Sequence, residues 1–369
     1  MTKYLDLDAT RHKKRGRKLK RWLILLAILL ALGGGLLAFS RTPFVQGLLA
    51  PVSFFARLLE PTKLTEVDGR VNVLILGLDS RTDGFQGLTD TILVESVSVA
   101  EGQPVLVSIP RDFWVKMDCP IALGAKKINA AYNCGGGAYS SGKFDQEKAV
   151  SFAKAKVEDV LGIRIPYYAV VNFAGFKEIV DTLDGINVCV EEAFTDNAYP
   201  VPGRENSLPV YTRYEVVKFS AGCQTLSGDR ALKFARSRHG TANGDFDRAR
   251  RQQKVIMAVK DKIMSLNLLL NPSKLSQLYQ QINAAVKTNA GFGEIRKALE
   301  LVGKFDDLSQ VSSLVLDPAS GLVYHPNNSL FGGYVIVPKG GNTYYTKIQA
   351  AVQKLFFGTK SGTESGGKP

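Results

Sequence analysis

What the chain lacks narrows it first. Its four cysteines, Cys119, Cys134, Cys189 and Cys223, form no CxxC pair, so the thiolate spacing of a structural zinc site is missing. The run Gly135-Gly136-Gly137 does not lead into Gly-Lys-Ser/Thr, which removes a Walker phosphate loop; it reads as a mobile turn. No internal repeat recurs along the 369 residues. Charge is absent from Trp22 to Phe39, eighteen residues in succession. As a helix that run rises about 27 Å, close to the roughly 30 Å of a bilayer's hydrocarbon core.

The positive charge is unevenly placed. Residues 1–21 hold nine Lys or Arg against Asp6 and Asp8, a surplus of seven out of the formal +13. Basic residues flank the cytoplasmic end of a span, so the first residues are expected in the cytoplasm and everything after Phe39 outside. A signal peptide cleaved near Ala31-Leu32-Gly33 is the alternative. An uncleaved anchor is favoured, because the apolar run continues past that point and no lipobox cysteine follows. About twenty cytoplasmic residues are too few for a folded nucleic-acid reader, so no nucleic-acid partner is expected.

Five regions follow: a basic tail (1–21), a transmembrane helix (22–39), a juxtamembrane stalk (40–68), an extracytoplasmic domain (69–357) and a Gly/Ser-rich disordered tail (358–369). Strands are predicted at Val71–Gly77, Thr91–Val99, Val105–Ile109, Tyr167–Asn172, Ile186–Val190, Ser312–Leu316 and Tyr334–Val337. Helices are predicted at Gln146–Leu161, Phe173–Leu183, Ser227–Ala235, Phe246–Leu270, Leu275–Val286, Ile295–Val302 and Tyr344–Phe357. Ala193–Tyr214, rich in Pro, Gly and Asn, reads as a long excursion. The interleaving gives an α/β class with a mixed central β-sheet flanked by helices. Outside the cell the four cysteines are compatible with two disulfides; sequence proximity points to Cys119–Cys134 and Cys189–Cys223, although three pairings, or free buried thiols, are open.

The chemistry concentrates in arginine. Arg236, Arg238, Arg248, Arg250 and Arg251 fall within sixteen residues. A guanidinium is always charged and its planar fork fits phosphate oxygens. In a helix beginning near Asp245, Arg248, Arg251 and Gln252 share a face; a solvated, salt-bridged face is the plain alternative. Asp79 at one strand end and Asp90 at the start of the next could hold one Mg²⁺, which takes one or two carboxylates plus phosphate oxygens. Arg111 leaves a third strand end after Pro110; its structural alternative is a pair with Asp90 or Asp112. His239 is read as structural or solvated.

Eight motifs stand in one order: Leu76–Arg81, Thr89–Thr91, Ser108–Asp112, Lys127–Tyr132 with Gly135-Gly136, Val180–Val188, Leu226–Leu232, Ala235–His239 and Asp247–Gln253. In that order they resemble the LytR-CpsA-Psr proteins over about residues 70–265. The resemblance implies a membrane-anchored, Mg²⁺-dependent phosphotransferase outside the cell. Such enzymes take a glycopolymer, such as teichoic acid or capsular polysaccharide, from an undecaprenyl-pyrophosphate carrier and join it to peptidoglycan by a phosphodiester. It further implies Asp79, Asp90, Arg81 and Arg111 as catalytic residues and Asp79 and Asp90 as metal ligands. Arg81, Arg111, Arg236, Arg238, Arg248 and Gln252 become the pyrophosphate-binding set. The competing expectations are a non-catalytic polyprenyl-phosphate-binding protein and a pyrophosphatase. Two departures stand out: Leu88 where many relatives carry Arg, and the altered spacing at His239–Gly244.

Overall fold

The structure, a computed structural model, describes residues 62–79, 86–119, 122–137, 143–266, 278–280, 285–303 and 311–358. The basic tail, the predicted membrane span, the stalk up to residue 61, Ser80 and Arg81, and the chain from 359 onward lie outside the described residues. Among the described residues no helix is long and apolar enough to cross a membrane.

A mixed sheet of six strands organises the described domain. Strands β1 (Arg70–Asp79), β2 (Leu88–Ser98) and β3 (Pro104–Ser108) form an antiparallel meander. Two hairpins follow it in the chain: β4 (Trp114–Cys119) with β5 (Ala122–Lys127), and later β8 (Phe194–Pro200) with β9 (Tyr214–Phe219). Strand β6 (Tyr167–Val171) joins β1 in parallel, and β7 (Ile186–Val190) pairs apart from the sheet with β10 (Gly222–Leu226). Strands β11 (Val286–Thr288) and β12 (Ser312–Val315) complete the order β11-β6-β1-β2-β3-β12.

Alternation along β1 explains why both faces are covered. Leu74, Leu76 and Leu78 point to one face and are fully buried. There they pack with Ile92, Val94, Val105 and Val107 against helix α2 (Gln146–Leu161) and helix α6 (Thr346–Phe357). Helix α2 buries Ala149, Val150, Ala153, Val157, Val160 and Leu161, a helical stripe. It starts where Asp145 accepts a hydrogen bond from the Lys148 amide and stops at Gly162, whose φ of 68° only glycine adopts readily. The other sheet face lies under helices α3 (Phe173–Thr182), α4 (Gly228–Arg236) and α5 (Asp245–Ser265), beside a second core of Val188, Phe194, Phe219 and Phe234.

Several expectations are corrected. The glycine run is no mobile turn: Gly135 and Gly136 belong to helix α1 (Ala131–Gly136), where a Cβ would fall on Phe152 and on the Phe144 ring. Glycine is needed there for helix contact, and Gly137 ends the helix with φ 70°. The 193–214 excursion contains β8, because Phe194, Asp196 and Tyr199 turn inward to the second core. The predicted helix Leu275–Val286 is helical at 278–280 and 285, but Val286 opens β11. Tyr334–Val337 yields only the two-residue strand Val337–Pro338 and a bridge from Ile336 to Phe113. Cys119 is joined to Cys134, and Cys189 to Cys223 across the β7–β10 ladder.

Candidate functional site

Between the sheet and α3, α4 and α5 lies a cavity of about 610 Å³. Its lining follows from periodicity. On β1 the residues opposite the leucines, Ile75, Gly77 and Asp79, face it at every second position. On α5 the contributors are Arg248, Gln252, Val255, Ile256 and Val259, one stripe at helical spacing. Both series run from a polar end to an apolar one, so the cavity is cationic and acidic at one end and greasy at the other, where Ile75, Ala169, Phe176 and Ile179 line it.

A β-bulge delivers the second carboxylate. Gly77 pairs with Thr91, but Leu78 pairs with Thr89, so Asp90 is the extra residue. Asp90 and Thr91 therefore both face the cavity, while Thr89 turns inward and donates from its hydroxyl to the Asn129 carbonyl at 3.2 Å. Gly77 matters by its missing side chain, since a Cβ there would approach Thr91 Cβ to 2.8 Å.

The arginines divide by task. Arg111 Nη1 donates to both oxygens of Asp90, at 3.1 and 2.9 Å, and its Nε to Asp112 at 3.4 Å, so both structural pairs foreseen for it exist. Burial pulls its pKa down, but Asp90, Asp112 and Asp245 outweigh that and raise it. Arg238 holds Asp245 through Nε and Nη2, at 2.6 and 2.9 Å, and Arg248 reaches the same carboxylate at 2.8 Å. Burial lowers Arg248 to about 10, against the pull of Asp245, and it stays charged at neutral pH. Burial pushes the Asp245 carboxyl up, but its arginines hold it below the ordinary range. Arg236 lies 3.9 Å over the Phe173 ring and 5.4 Å from that of Tyr199, whose hydroxyl it meets at 3.2 Å.

Arg251 does not share the cavity face with Arg248 and Gln252. It is buried against Phe194 and donates to the carbonyls of Phe234 and Ser237, tying α5 to the end of α4. Arg250 is bound to Asp247 and Asp317, at 3.1 and 2.5 Å. Of the implied pyrophosphate set, Arg111, Arg236, Arg238, Arg248 and Gln252 line one cavity, and Arg81 lies outside the described residues.

Four contributors escaped the sequence. Phe173 and Tyr199 bracket Arg236. Asp245 is the shared counter-ion, and its i, i+3 spacing to Arg248 was the available signal. Asp196 is fully buried, accepts from the Arg238 and Ala198 amides at 2.9 and 3.0 Å, and meets His239 Nδ1 at 3.0 Å. Burial pushes this carboxyl up, but those bonds hold it below its usual range. His239 accordingly fixes the arginine turn at the cavity edge.

The residues suit a hard cation. Asp79 Oδ1 is buried without a hydrogen-bond partner among the described residues, 3.8 Å from Arg236 Nη2. Among the described residues no three His, Cys, Asp or Glu side chains converge, so a cation here would complete its shell with phosphate oxygens and water, as Mg²⁺ commonly does.

The sequence profile of the LytR_cpsA_psr family matches residues 55–334. The polyisoprenyl-teichoic acid–peptidoglycan teichoic acid transferase TagU of Enterococcus faecalis is 33% identical over 246 residues, 65% of this chain and 68% of that one. The cell wall biosynthesis protein LcpA of Corynebacterium glutamicum is 30% identical over 271 residues, 63% of this chain and 48% of its own length. In fold, the chain is similar to B. subtilis TagV, with a TM-score of 0.58 at 24% identity over 79% of this chain and 98% of that one. Matched by the profile over most of its length, this chain belongs to the LytR_cpsA_psr family.

Proposed function

We propose that the chain is a phosphotransferase that moves a glycopolymer from a polyprenyl-pyrophosphate carrier onto peptidoglycan through a phosphodiester bond. The observation that carries this reading is the single cavity with an apolar end and a four-arginine end, a shape for a ligand with a long hydrocarbon tail and a diphosphate head. The printed name of the Enterococcus relative, a polyisoprenyl-teichoic acid–peptidoglycan transferase, supports it. In this reading residues 22–39 anchor the chain in the cell membrane, with the N-terminus in the cytoplasm and the domain outside.

The reaction asks for charge neutralisation more than covalent work. Arg236, Arg238 and Arg248 hold the diphosphate oxygens, Arg111 adds charge beside them, and Phe173 and Tyr199 keep the Arg236 guanidinium flat against the head group. Ile75, Phe176 and Val259 keep water from the tail. The acceptor oxygen forms a bond to the glycan-bearing phosphorus as the bridging P–O bond breaks. Polyprenyl phosphate leaves with the electron pair, and the hydroxyl proton passes to the Asp90 carboxylate. Bound Mg²⁺, held by Asp79 with Asp90, would supply neutralising charge for the leaving phosphate.

The test is product formation by the full chain in detergent, given a synthetic polyprenyl-pyrophosphate oligosaccharide, Mg²⁺ and a peptidoglycan oligomer. Mass spectrometry should find the phosphodiester-linked product, absent with Arg238→Ala or chelator. Donor binding without transfer or hydrolysis would instead make the chain a carrier-binding protein, and hydrolysis alone a pyrophosphatase.

A further inference from the structure

Beyond the arginines lies a second, much smaller opening. It is bounded by the Ser108–Asp112 turn, Phe246 and Tyr334. Asp90, Arg111, Arg248 and Gln252 line it as well, and these four also line the large cavity. The two spaces thus meet along one charged wall. The small cleft has a volume of about 20 Å³, room for one oxygen-sized group and not for a sugar ring.

Tyr334 stands at its edge, 39% exposed. The ring packs on His325 at 4.2 Å, and His325 Nδ1 meets the Val335 carbonyl at 2.8 Å. The next residue is strapped to the Arg111 turn: the Ile336 amide donates to the Asp112 carbonyl at 3.0 Å, and the Trp114 amide donates to the Ile336 carbonyl at 2.8 Å. A half-exposed aromatic ring is therefore held rigidly beside the reacting groups. Burial, with Asp112 and Asp245 nearby, raises the phenol pKa, so the hydroxyl stays neutral.

This inference rests on the transfer reaction proposed above. The polyprenyl phosphate must leave toward the apolar cavity, and an in-line displacement brings the nucleophile from the opposite side. On that side, along the shared wall, lies the cleft. We infer that the cleft is the acceptor subsite: it admits a hydroxyl oxygen of the acceptor glycan, whose apolar sugar face rests on the ring of Tyr334. A sugar hydroxyl fits so narrow a space, and Asp90, which lines both openings, is placed to take its proton. Tyr334 is a specificity-determining residue for the acceptor and takes no part in holding the donor.

The experiment uses the full chain in detergent. Binding of a peptidoglycan disaccharide fragment is followed by saturation-transfer NMR, and transfer is measured with acceptor and donor varied separately. Tyr334→Ala should weaken fragment binding and raise the acceptor KM by about tenfold, the scale of a lost aromatic contact. The donor KM and the melting temperature should not move. Tyr334→Phe should restore binding, whereas Tyr334→Leu, which fills the space without a ring, should not. Fragment binding that is absent in the parent chain, or undiminished in Tyr334→Ala, overturns the subsite. So does a rise in donor KM, which would give the cleft to the donor's own glycan. Fragment binding that depends on Tyr334 without any transfer would sink the reaction and leave the glycan subsite standing.

Discussion

Arg111 meets Asp90 through a single nitrogen, Nη1, which donates to both carboxylate oxygens, while its Nε turns to Asp112. The pair fixes the Asp90 carboxylate on the wall that the two openings share. Asp90→Asn preserves size and one of the two oxygens that accept from Arg111 but is no longer a base. It should lower the transfer rate about 10²–10⁴-fold, the span of general-base catalysis, with donor affinity within a few fold. Single-turnover rates on a fluorescent donor measure this. Near-normal turnover with Mg²⁺ bound would remove the role from Asp90.

Asp245 neutralises two arginines at once, and one of them, Arg248, has a side chain only 7% exposed. Asp245→Ala leaves that guanidinium buried without its carboxylate, which should cost about 2–3 kcal/mol of stability. A urea midpoint unchanged from the parent chain would contradict it.

The folded-state pKa values of Asp196 and Asp245 are both depressed. A depressed carboxylate contributes stability that is fully present above its unfolded value, about 3.9, and is lost as pH falls through the folded value. The melting temperature should therefore hold from neutrality to about pH 4 and drop below it. In Asp196→Asn the deficit seen at pH 7 should shrink along that drop. A deficit constant down to pH 2 would show that Asp196 acts by packing rather than by charge.

Gly77 faces Thr91 with no space between them. Gly77→Ala must push β1 and β2 apart at the bulge or crowd the cavity, at a cost of about 1–3 kcal/mol. Thermal melts of Gly77→Ala and of Gly77→Ala/Thr91→Gly give the check, since removing the Thr91 side chain should recover part of the loss.

Arg236 is held by aromatic faces as well as by charge. Arg236→Lys keeps the charge but loses the planar stacking, so donor affinity should fall about tenfold. Equal affinity by fluorescence titration would mean that only the charge matters.

Local sequence carried much of the frame. Helix α2 spans Gln146–Leu161 as its spacing predicts, and β1, β3, β6 and β7 follow from apolar runs between turn residues. The hairpin β4–β5 was missed although Val115, Met117 and Cys119 alternate with Lys116 and Asp118 at the strand period; only the facing Ala122–Lys127, with its small residues and paired lysines, offers no such alternation. In the 193–214 segment the Pro/Gly/Asn content masked three inward-facing residues that only a neighbouring core could select.

Sequence by itself determined which residue types were at hand: five clustered arginines, two aspartates at strand ends, and the period-2 and helical patterns that turn Ile75, Gly77 and Asp79 one way and Val255 and Val259 another. Tertiary structure alone decided how they are used. A bulge put Asp90 on the cavity face, chain reversal made Arg251 a brace for α4 while Arg248 lines the site, and Asp196, Phe173 and Tyr199 came from distant segments to fix the arginine turn. The physical reason is range. Periodicity and capping are set by neighbours within a few residues, whereas the burial, counter-charge and stacking that give an arginine its task depend on segments that meet only when the sheet and helices pack.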